Sequence, residues 1–409
     1  MKKKIFKIPC VLCVLSGLIF AQTNLPQVKP GIEVLLTERL DLIMGKGVGL
    51  ITNPTGVNTK LESTVDLLYR TPGVRLVALF GPEHGVRGDV AAGDEITDAV
   101  DPKTKIPLYS LYGKNRAPSK EMLKGVDILL YDIQDIGNRT YTYVSTMALA
   151  MQAAKENNIP FIVLDRPNPL GGNLVEGPVL DLKFKSFIGY YPVPYLYGMT
   201  AGELARYFNT EFGINCDLTV VPMKGWKRAM NFTETGLEWI PTSPHIPQKE
   251  TAFYCAATGA IGEIGTINVG IGYTLPFELV GEEWIDGDQL ARELNGRKLP
   301  GVVFRPINYQ PFYGNRQKVA LQGVQVHVTD YNQFQPIRTQ IHILTALRKL
   351  YPGQNIFDPK RISSFDKACG TDKVRLAIME NKDAETIIAG WQKDVESFKQ
   401  KSRQYYLYK

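Results

Sequence analysis

Glutamate, histidine and arginine stand close together at Glu83, His84 and Arg87, within Ala78-Leu79-Phe80-Gly81-Pro82-Glu83-His84-Gly85-Val86-Arg87-Gly88. A carboxyl group that follows apolar Leu79 and Phe80 in a crowded loop is one whose pKa burial can raise toward the range a general acid needs. Asp132, Asp135 and Arg139 follow a second apolar run, and Asp165, Arg166, Asn168 and Glu176 follow a third. Carboxylates and arginines among tyrosines suit carbohydrate chemistry, where one carboxylic acid protonates the leaving oxygen and a second group handles the oxocarbenium-like centre. On residue types alone two readings of Glu83 stand level: the acid of such a reaction, or half of a loop-stabilising ion pair with Arg87. For Asp132 and Asp165 the commoner role of a strand-end aspartate is structural, fixing an arginine or capping a helix. Metal ligation by His84, Asp132 and Asp135 is a third reading, thin with a single histidine. Acyl transfer has little support, because there is no Gly-x-Ser-x-Gly elbow and no serine or cysteine nucleophile placed with a histidine.

The element that gathers such residues is a parallel sheet, whose strands are buried on both faces and end in loops at one edge. Gly47 to Asn53 reads as a strand, Ser63 to Tyr69 as a short amphipathic helix and Val74 to Phe80 as a strand again, a βαβ unit and hence parallel. Asn53-Pro54-Thr55-Gly56 closes the first strand and is expected beside Glu83, as a ligand contact or as a plain turn. Further strands are expected at Val126 to Asp132, Pro160 to Leu164 and Leu218 to Pro222. Helices are expected at Tyr141 to Asn157 and after Thr200, where Glu203 completes a capping box. Strands ending repeatedly in Asp, Arg, Asn or Glu mark a doubly wound sheet with its site at one edge. No Gly-x-Gly-x-x-Gly follows the first strand and no Walker-type loop occurs, so no nucleotide cofactor is expected.

Beyond Trp239 the texture changes to Pro241-Thr242-Ser243-Pro244-His245-Ile246-Pro247, either a domain boundary or a loop folded across the cleft, with His245 a candidate contact. The second half has shorter strands, such as Val302 to Arg305 and Val324 to Val328, and helices at Gln335 to Tyr351 and Ala384 to Lys401. The fold class expected is therefore α/β: a doubly wound, mostly parallel sheet domain over residues 31–240, then a smaller α+β domain over 241–409. Glycine-dense Gly262 to Gly272, with Glu263, Asn268 and Glu278, is either a backbone approach to a ligand or an ordinary bend. The closing Tyr405-Tyr406-Leu407-Tyr408 is expected to dock on the core.

The 409 residues are enough for two domains with cores of their own, and the +6 net charge, partly made by Lys2, Lys3, Lys4 and Lys7, is too slight to argue for a nucleic-acid partner. Those lysines precede the short apolar run Ile8 to Phe20, which reads as an export signal cut after Ala21, leaving a periplasmic or secreted protein with no stable membrane span. Of the five cysteines, Cys10 and Cys13 leave with the signal; Cys216, Cys255 and Cys369 are odd in number, widely spaced and expected in the core, with no zinc cluster.

Phe80-Gly81-Pro82-Glu83-His84-Gly85-Val86-Arg87-Gly88, the run Tyr131 to Tyr143, the run Leu164 to Pro178 and Gly198-Met199-Thr200-Ala201-Gly202-Glu203-Leu204 together resemble the exo-β-N-acetylmuramidase family. The resemblance continues through Leu275-Pro276-Phe277-Glu278 and Leu299-Pro300-Gly301-Val302-Val303-Phe304-Arg305-Pro306, and so covers nearly all of the mature chain. It implies a Rossmann-like domain facing a smaller domain across a catalytic cleft. It also implies an exo-acting glycoside hydrolase that removes N-acetylmuramic acid from the non-reducing end of peptidoglycan fragments, with neither metal nor cofactor. The family's Pro-Glu-His-Gly glutamate maps onto Glu83, the expected acid. The family's usual histidine before Gly-Met-Thr is here Tyr197, and its Glu-Gly-Thr-Asn segment reads Glu263-Ile264-Gly265-Thr266.

With that substrate, Arg87, Arg139 or Arg166 is expected to hold the lactyl carboxylate through paired charge-assisted hydrogen bonds. The acetamido group can attack the anomeric carbon from within the substrate, so Glu176 stands only as a candidate second catalytic group. Asn53, His84, Asp132, Asp135, Asp165, Asn168 and His245 complete the expected substrate contacts. Two other readings remain: an exported protein that clamps a muropeptide without cutting it, and the metal-assisted hydrolase.

Overall fold

The computed structural model describes residues 28–88 and 99–409; the expected export signal lies outside them. Among the described residues a seven-stranded sheet is built from β1 (Gly47–Thr52), β2 (Arg75–Gly81), β3 (Ala99–Val100), β4 (Pro107–Ser110), β5 (Ile128–Asp132), β6 (Phe161–Leu164) and β9 (Leu218–Val221). Strand β3 pairs antiparallel at one edge, and every other pairing in this sheet is parallel. The order across the sheet is β3-β4-β2-β1-β5-β6-β9. Counting only the parallel strands along the chain, it runs third, second, first, fourth, fifth, sixth, the arrangement of doubly wound Rossmann-type sheets.

The apolar runs alternate between two cores, which is why they are strands. Leu50, Leu79, Leu130 and Ile162 join one cluster with Ile32 and Leu35 of α1 (Gly31–Glu38) and Val65 and Leu68 of α2 (Thr64–Arg70). Their neighbours Ile51, Phe80, Leu129, Tyr131 and Val163 face the other side. They meet Val144, Met147 and Met151 of α3 (Tyr143–Glu156) and Leu204 and Phe208 of α4 (Ala201–Glu211). Helix α4 starts at the expected capping box: Thr200 Oγ1 accepts from Glu203 N, and Glu203 Oε2 accepts from Thr200 N, both at 3.2 Å. Between α3 and β9 a short antiparallel pair forms from β7 (Val175–Glu176) and β8 (Leu196–Tyr197).

The second half carries α5 (Thr251–Gly262) and a three-stranded antiparallel sheet of β10 (Leu279–Glu282), β11 (Val302–Tyr309) and β12 (Leu321–Val328), with α6 (Gly287–Gly296) against it. Both long strands run further than the sequence reading placed them, because β11 and β12 pair along their whole length. Helices α7 (Pro336–Leu350), α8 (Ile362–Cys369), α9 (Lys373–Met379) and α10 (Ala384–Ser402) complete it. One apolar cluster runs through both halves, joining Tyr195 and Phe208 to Phe253, Ile337 and Phe398. Burying such a cluster continuously fixes the halves to each other. Cys216, Cys255 and Cys369 are free and buried, and no helix among the described residues is long and apolar enough to cross a membrane.

Candidate active site

Strands β1 and β5 are neighbours whose chains leave toward opposite faces, into α2 and α3, so a crevice opens beyond their carboxyl ends. Its floor is stitched by short polar side chains. Thr52 Oγ1 donates to the Asp132 carbonyl at 2.8 Å, Asn53 Oδ1 accepts from Thr55 N at 3.0 Å, and Thr55 Oγ1 accepts from Gln134 N at 2.9 Å. The Asn53 amide is buried against the Tyr143 phenol, and its Nδ2 has no hydrogen bond of regular geometry.

Next along the sheet, β2 ends at Gly81, where a Cβ would stand 3.0 Å from Val86 N and 3.1 Å from Gly85 Cα. A side chain there would press on the backbone of the loop as it curls back. Pro82 O accepts from Gly85 N at 3.0 Å, and His84 sits in the left-handed region at φ 72°. A non-glycine residue held there marks the local strain that functional loops carry. The turn leaves Glu83 half-buried on the wall of a cavity of about 530 Å³, with His84, Tyr112, Arg116, Tyr143, Phe187, His245, Glu263 and Phe277 also lining it.

Aromatic hydroxyls surround the Glu83 carboxyl. Burial raises the Tyr112 pKa, and a hydrogen bond to Glu83 raises it further. Burial likewise raises Tyr143, whose pKa also feels the charges of Glu83 and Asp135. Tyr143 Oη donates to the Thr242 carbonyl at 2.6 Å and Tyr141 Oη to Thr242 Oγ1 at 2.8 Å, so tyrosines at the start of α3 pull the proline-rich segment over the cavity. These contacts are those of a loop folded across the cavity. It brings His245 in, with Nε2 2.9 Å from Tyr313 Oη; burial and then the nearby His84 lower the His245 pKa.

Glu83, His84 and His245 therefore line one cavity, and Asn53 stands behind Tyr143. Asp135 is buried deeper: burial pushes its pKa to about 6 against hydrogen bonds from Tyr197 Oη and, at 2.7 Å, Gly137 N. Tyr197, standing where the family has histidine, is thus a partner of Asp135.

The structure places the other expected contacts against partners within the protein. Arg87 pairs with Asp101, Nε to Oδ1 at 2.9 Å, and with Asp66 at 3.3 Å, rather than with Glu83. Asp132 and Arg166 are buried against each other at the ends of β5 and β6. Asp165 accepts from Gly202 N at 2.8 Å and Thr200 Oγ1 at 2.7 Å, holding the start of α4. Asn168 is a turn residue that accepts from Leu170 N at 3.0 Å and donates to Met199 O at 2.9 Å. Arg139 points into the second half, its Nη2 donating to Ala368 O and Cys369 O at 3.1 and 3.0 Å. Glu176 lines a different cleft, where its Oε2 accepts from Ile337 N at 2.9 Å and caps α7. His84, Asp132 and Asp135 do not form a ligand set, since Arg166 occupies both Asp132 oxygens, and no metal-holding group of three or more His, Cys, Asp or Glu occurs among the described residues.

Tyr112, Tyr143, Arg116, Phe187 and Phe277 line the cavity too, and sequence reasoning did not single them out. The tyrosine-rich loop before β5 and the tyrosines after it were the available signal for the first two. A larger cavity, about 640 Å³, opens beside α9 and α10, lined by Tyr207, Trp391, Asp394 and Lys401. It lies away from the carboxyl ends of the parallel strands, the edge at which open α/β sheets bind ligands.

Two family models match the chain, exo-beta-N-acetylmuramidase NamZ, N-terminal, over residues 48–250, and exo-beta-N-acetylmuramidase NamZ, C-terminal, over 254–408. The chain is 49% identical over 383 residues to peptidoglycan beta-N-acetylmuramidase NamZ of Bacillus subtilis (strain 168), covering 94% of this chain and 92% of that protein. Two crystal structures of DUF1343 family proteins from Bacteroides fragilis NCTC 9343 superpose on it. One has TM-score 0.90 at 48% identity, the other 0.77 at 30%, each covering 94% of this chain and 99% of its own.

Proposed function

The chain belongs to the exo-β-N-acetylmuramidase family and is a glycoside hydrolase, and from that premise we propose that Glu83 is its general acid. The substrate is a peptidoglycan fragment with N-acetylmuramic acid at its non-reducing end, bound in the cavity between the carboxyl edge of the parallel sheet and the proline-rich crossing. One observation carries the assignment. Of the strand-end carboxyls that the sequence offers, Glu83 is the one that lines this cavity, while Asp132 and Asp165 are held in buried contacts, Asp135 is enclosed and Glu176 faces another cleft.

Glu83 gives its proton to the bridging oxygen as the glycosidic bond breaks and positive charge develops on the anomeric carbon. The Tyr112 hydroxyl orients the carboxyl, and its hydrogen bond stabilises the carboxylate left behind. The substrate's acetamido group, on the ring carbon next to the anomeric one, is the internal nucleophile that bonds to the anomeric carbon as the glycosidic bond breaks; water then opens the resulting ring to give the free sugar, so no protein nucleophile is required. The protein is exported, as the lysines before the apolar run Ile8 to Phe20 argue, and meets its substrate in the periplasm or outside the cell.

Incubation with a chromogenic N-acetylmuramic acid glycoside tests the activity, with release of the free sugar expected. No release at any pH overturns the reading, and full turnover by Glu83→Gln overturns the residue assignment. The N-terminus of the protein recovered from cells, read by mass spectrometry, tests export.

A further inference from the structure

N-acetylmuramic acid differs from N-acetylglucosamine by its lactyl group, and the carboxylate on that group is the handle by which an enzyme tells the two apart. A cation in the cavity is the natural reader. The three arginines expected for this are all engaged elsewhere: Arg87 with Asp101 and Asp66, Arg166 with Asp132, and Arg139 with carbonyls of α8. Among the described residues that line the cavity, Arg116 is the one lysine or arginine.

Its guanidinium carbon lies 4.3 Å from the centre of the Phe187 ring. A guanidinium laid on an aromatic face is held in orientation by the ring while its N–H edge stays available for a two-pronged bond to a planar carboxylate. Arg116 is exposed, and no carboxylate among the described residues forms an ion pair with it. Its position relative to the reacting group also fits. Arg116, Tyr112 and Glu83 line the same cavity, and Tyr112, which bonds to Glu83, feels the Arg116 charge. The lactyl ether stands two ring carbons from the anomeric centre, so its carboxylate needs a partner near the acid but not touching it.

We propose that Arg116, stacked on Phe187, binds the lactyl carboxylate and sets the preference for muramic acid over sugars without that charge. This rests on the muramidase reading. The test is competition against the chromogenic muramic acid glycoside by N-acetylmuramic acid and by its neutral methyl ester, in the wild type, Arg116→Gln and Arg116→Lys.

In the wild type the acid is expected to inhibit at about tenfold lower concentration than the ester, a ratio that one exposed, charge-assisted pair can supply. Arg116→Gln brings the two inhibitors together by weakening the acid alone, and its KM for the glycoside rises more than its kcat falls. Arg116→Lys recovers part of the ratio, because charge returns without the fork. A wild type indifferent to esterification, a Gln variant that keeps the preference, or one that loses both inhibitors equally overturns the proposal. A wild type that releases nothing from the glycoside overturns the muramidase reading itself, and this proposal with it.

Discussion

Arg166 grips Asp132 with both arms of its guanidinium, Nε to Oδ1 at 2.5 Å and Nη2 to Oδ2 at 2.9 Å, with 5% and 0% of the two side chains exposed. Arg166 Nη2 also donates to Val57 O at 2.9 Å, and Thr64 Oγ1 donates to Asp132 Oδ2. The pair therefore ties the ends of β5 and β6 to the loop after β1, at the edge where the cavity lies.

Asp132→Ala leaves that guanidinium buried and uncompensated. Breaking one side of a buried pair costs about 3–5 kcal/mol, whereas replacing both partners with apolar groups can be close to neutral. Urea unfolding at pH 7 is expected to show a loss of that size for Asp132→Ala, with much of it restored in Asp132→Leu/Arg166→Met. A single variant within about 1 kcal/mol of wild type would refute this account.

Asp165 gives a pH dependence of defined sign. Burial pushes its pKa from 3.8 to about 6, over the opposing hydrogen bonds from Tyr408, Thr200 and Gly202. A folded pKa above the unfolded one means the folded protein holds the proton more tightly. The contribution is then fully present below 3.8 and lost as pH rises through about 6, amounting to about 3 kcal/mol at about 1.4 per unit. The stability of the wild type relative to Asp165→Asn is therefore expected to fall by that order between pH 4 and pH 7. A difference that stays flat across the range would show that Asp165 titrates normally.

The sheet was legible because its apolar residues alternate sides so regularly: Leu50 against Ile51, Leu79 against Phe80 and Ile162 against Val163 go to opposite cores. Thr200 and Glu203 announced α4, since a capping box is a purely local device. The roles of the strand-end polar residues were not legible in the same way. Arg87, Arg139 and Arg166 look alike in the chain, and what separates them from Arg116 is a partner distant in sequence: Asp101, the carbonyls of Ala368 and Cys369, Asp132, or the Phe187 ring. Tyr112 and Arg116 come from a loop without periodicity, where richness in tyrosine was the one signal and nothing singled out Arg116. Glu83 stands out in the chain because glycine and proline crowd around it and force the chain to turn where an apolar strand stops.

The C-terminal tail docks as a strap across charged groups. Leu407 N donates to Glu203 Oε1 at 2.8 Å, the Tyr406 ring covers the Arg228 guanidinium at 3.4 Å, and Tyr408 Oη both donates to Asp165 Oδ2 at 2.5 Å and accepts from Met223 N at 2.9 Å. Tyr408→Phe removes one hydroxyl and leaves two enclosed polar groups without it. A loss of about 1–3 kcal/mol is expected by chemical denaturation. A further rise in the Asp165 pKa should accompany it, seen as a shift of the pH-dependent window to higher pH. An unchanged unfolding midpoint would mean that solvent replaces the tail at no cost.

Glu83 and Glu176 were both candidate catalytic carboxyls, and their surroundings now predict opposite behaviour. Glu176 caps α7 through Ile337 N, and burial pushes its pKa from 4.5 to about 7. Ionising it works against the fold: its favourable contribution is complete below 4.5 and disappears as pH rises through about 7. Glu176→Gln keeps an acceptor for Ile337 N and removes the charge, so it should be more stable than wild type at pH 8 while kcat stays within about twofold. Glu83→Gln cannot give up a proton to the leaving oxygen, and a loss of about a hundredfold to ten-thousandfold in kcat is expected, without a change in melting temperature. Side-by-side turnover of the two variants on one muramic acid glycoside decides the matter. Equal losses would place Glu176 back in the reaction and require the two clefts to communicate.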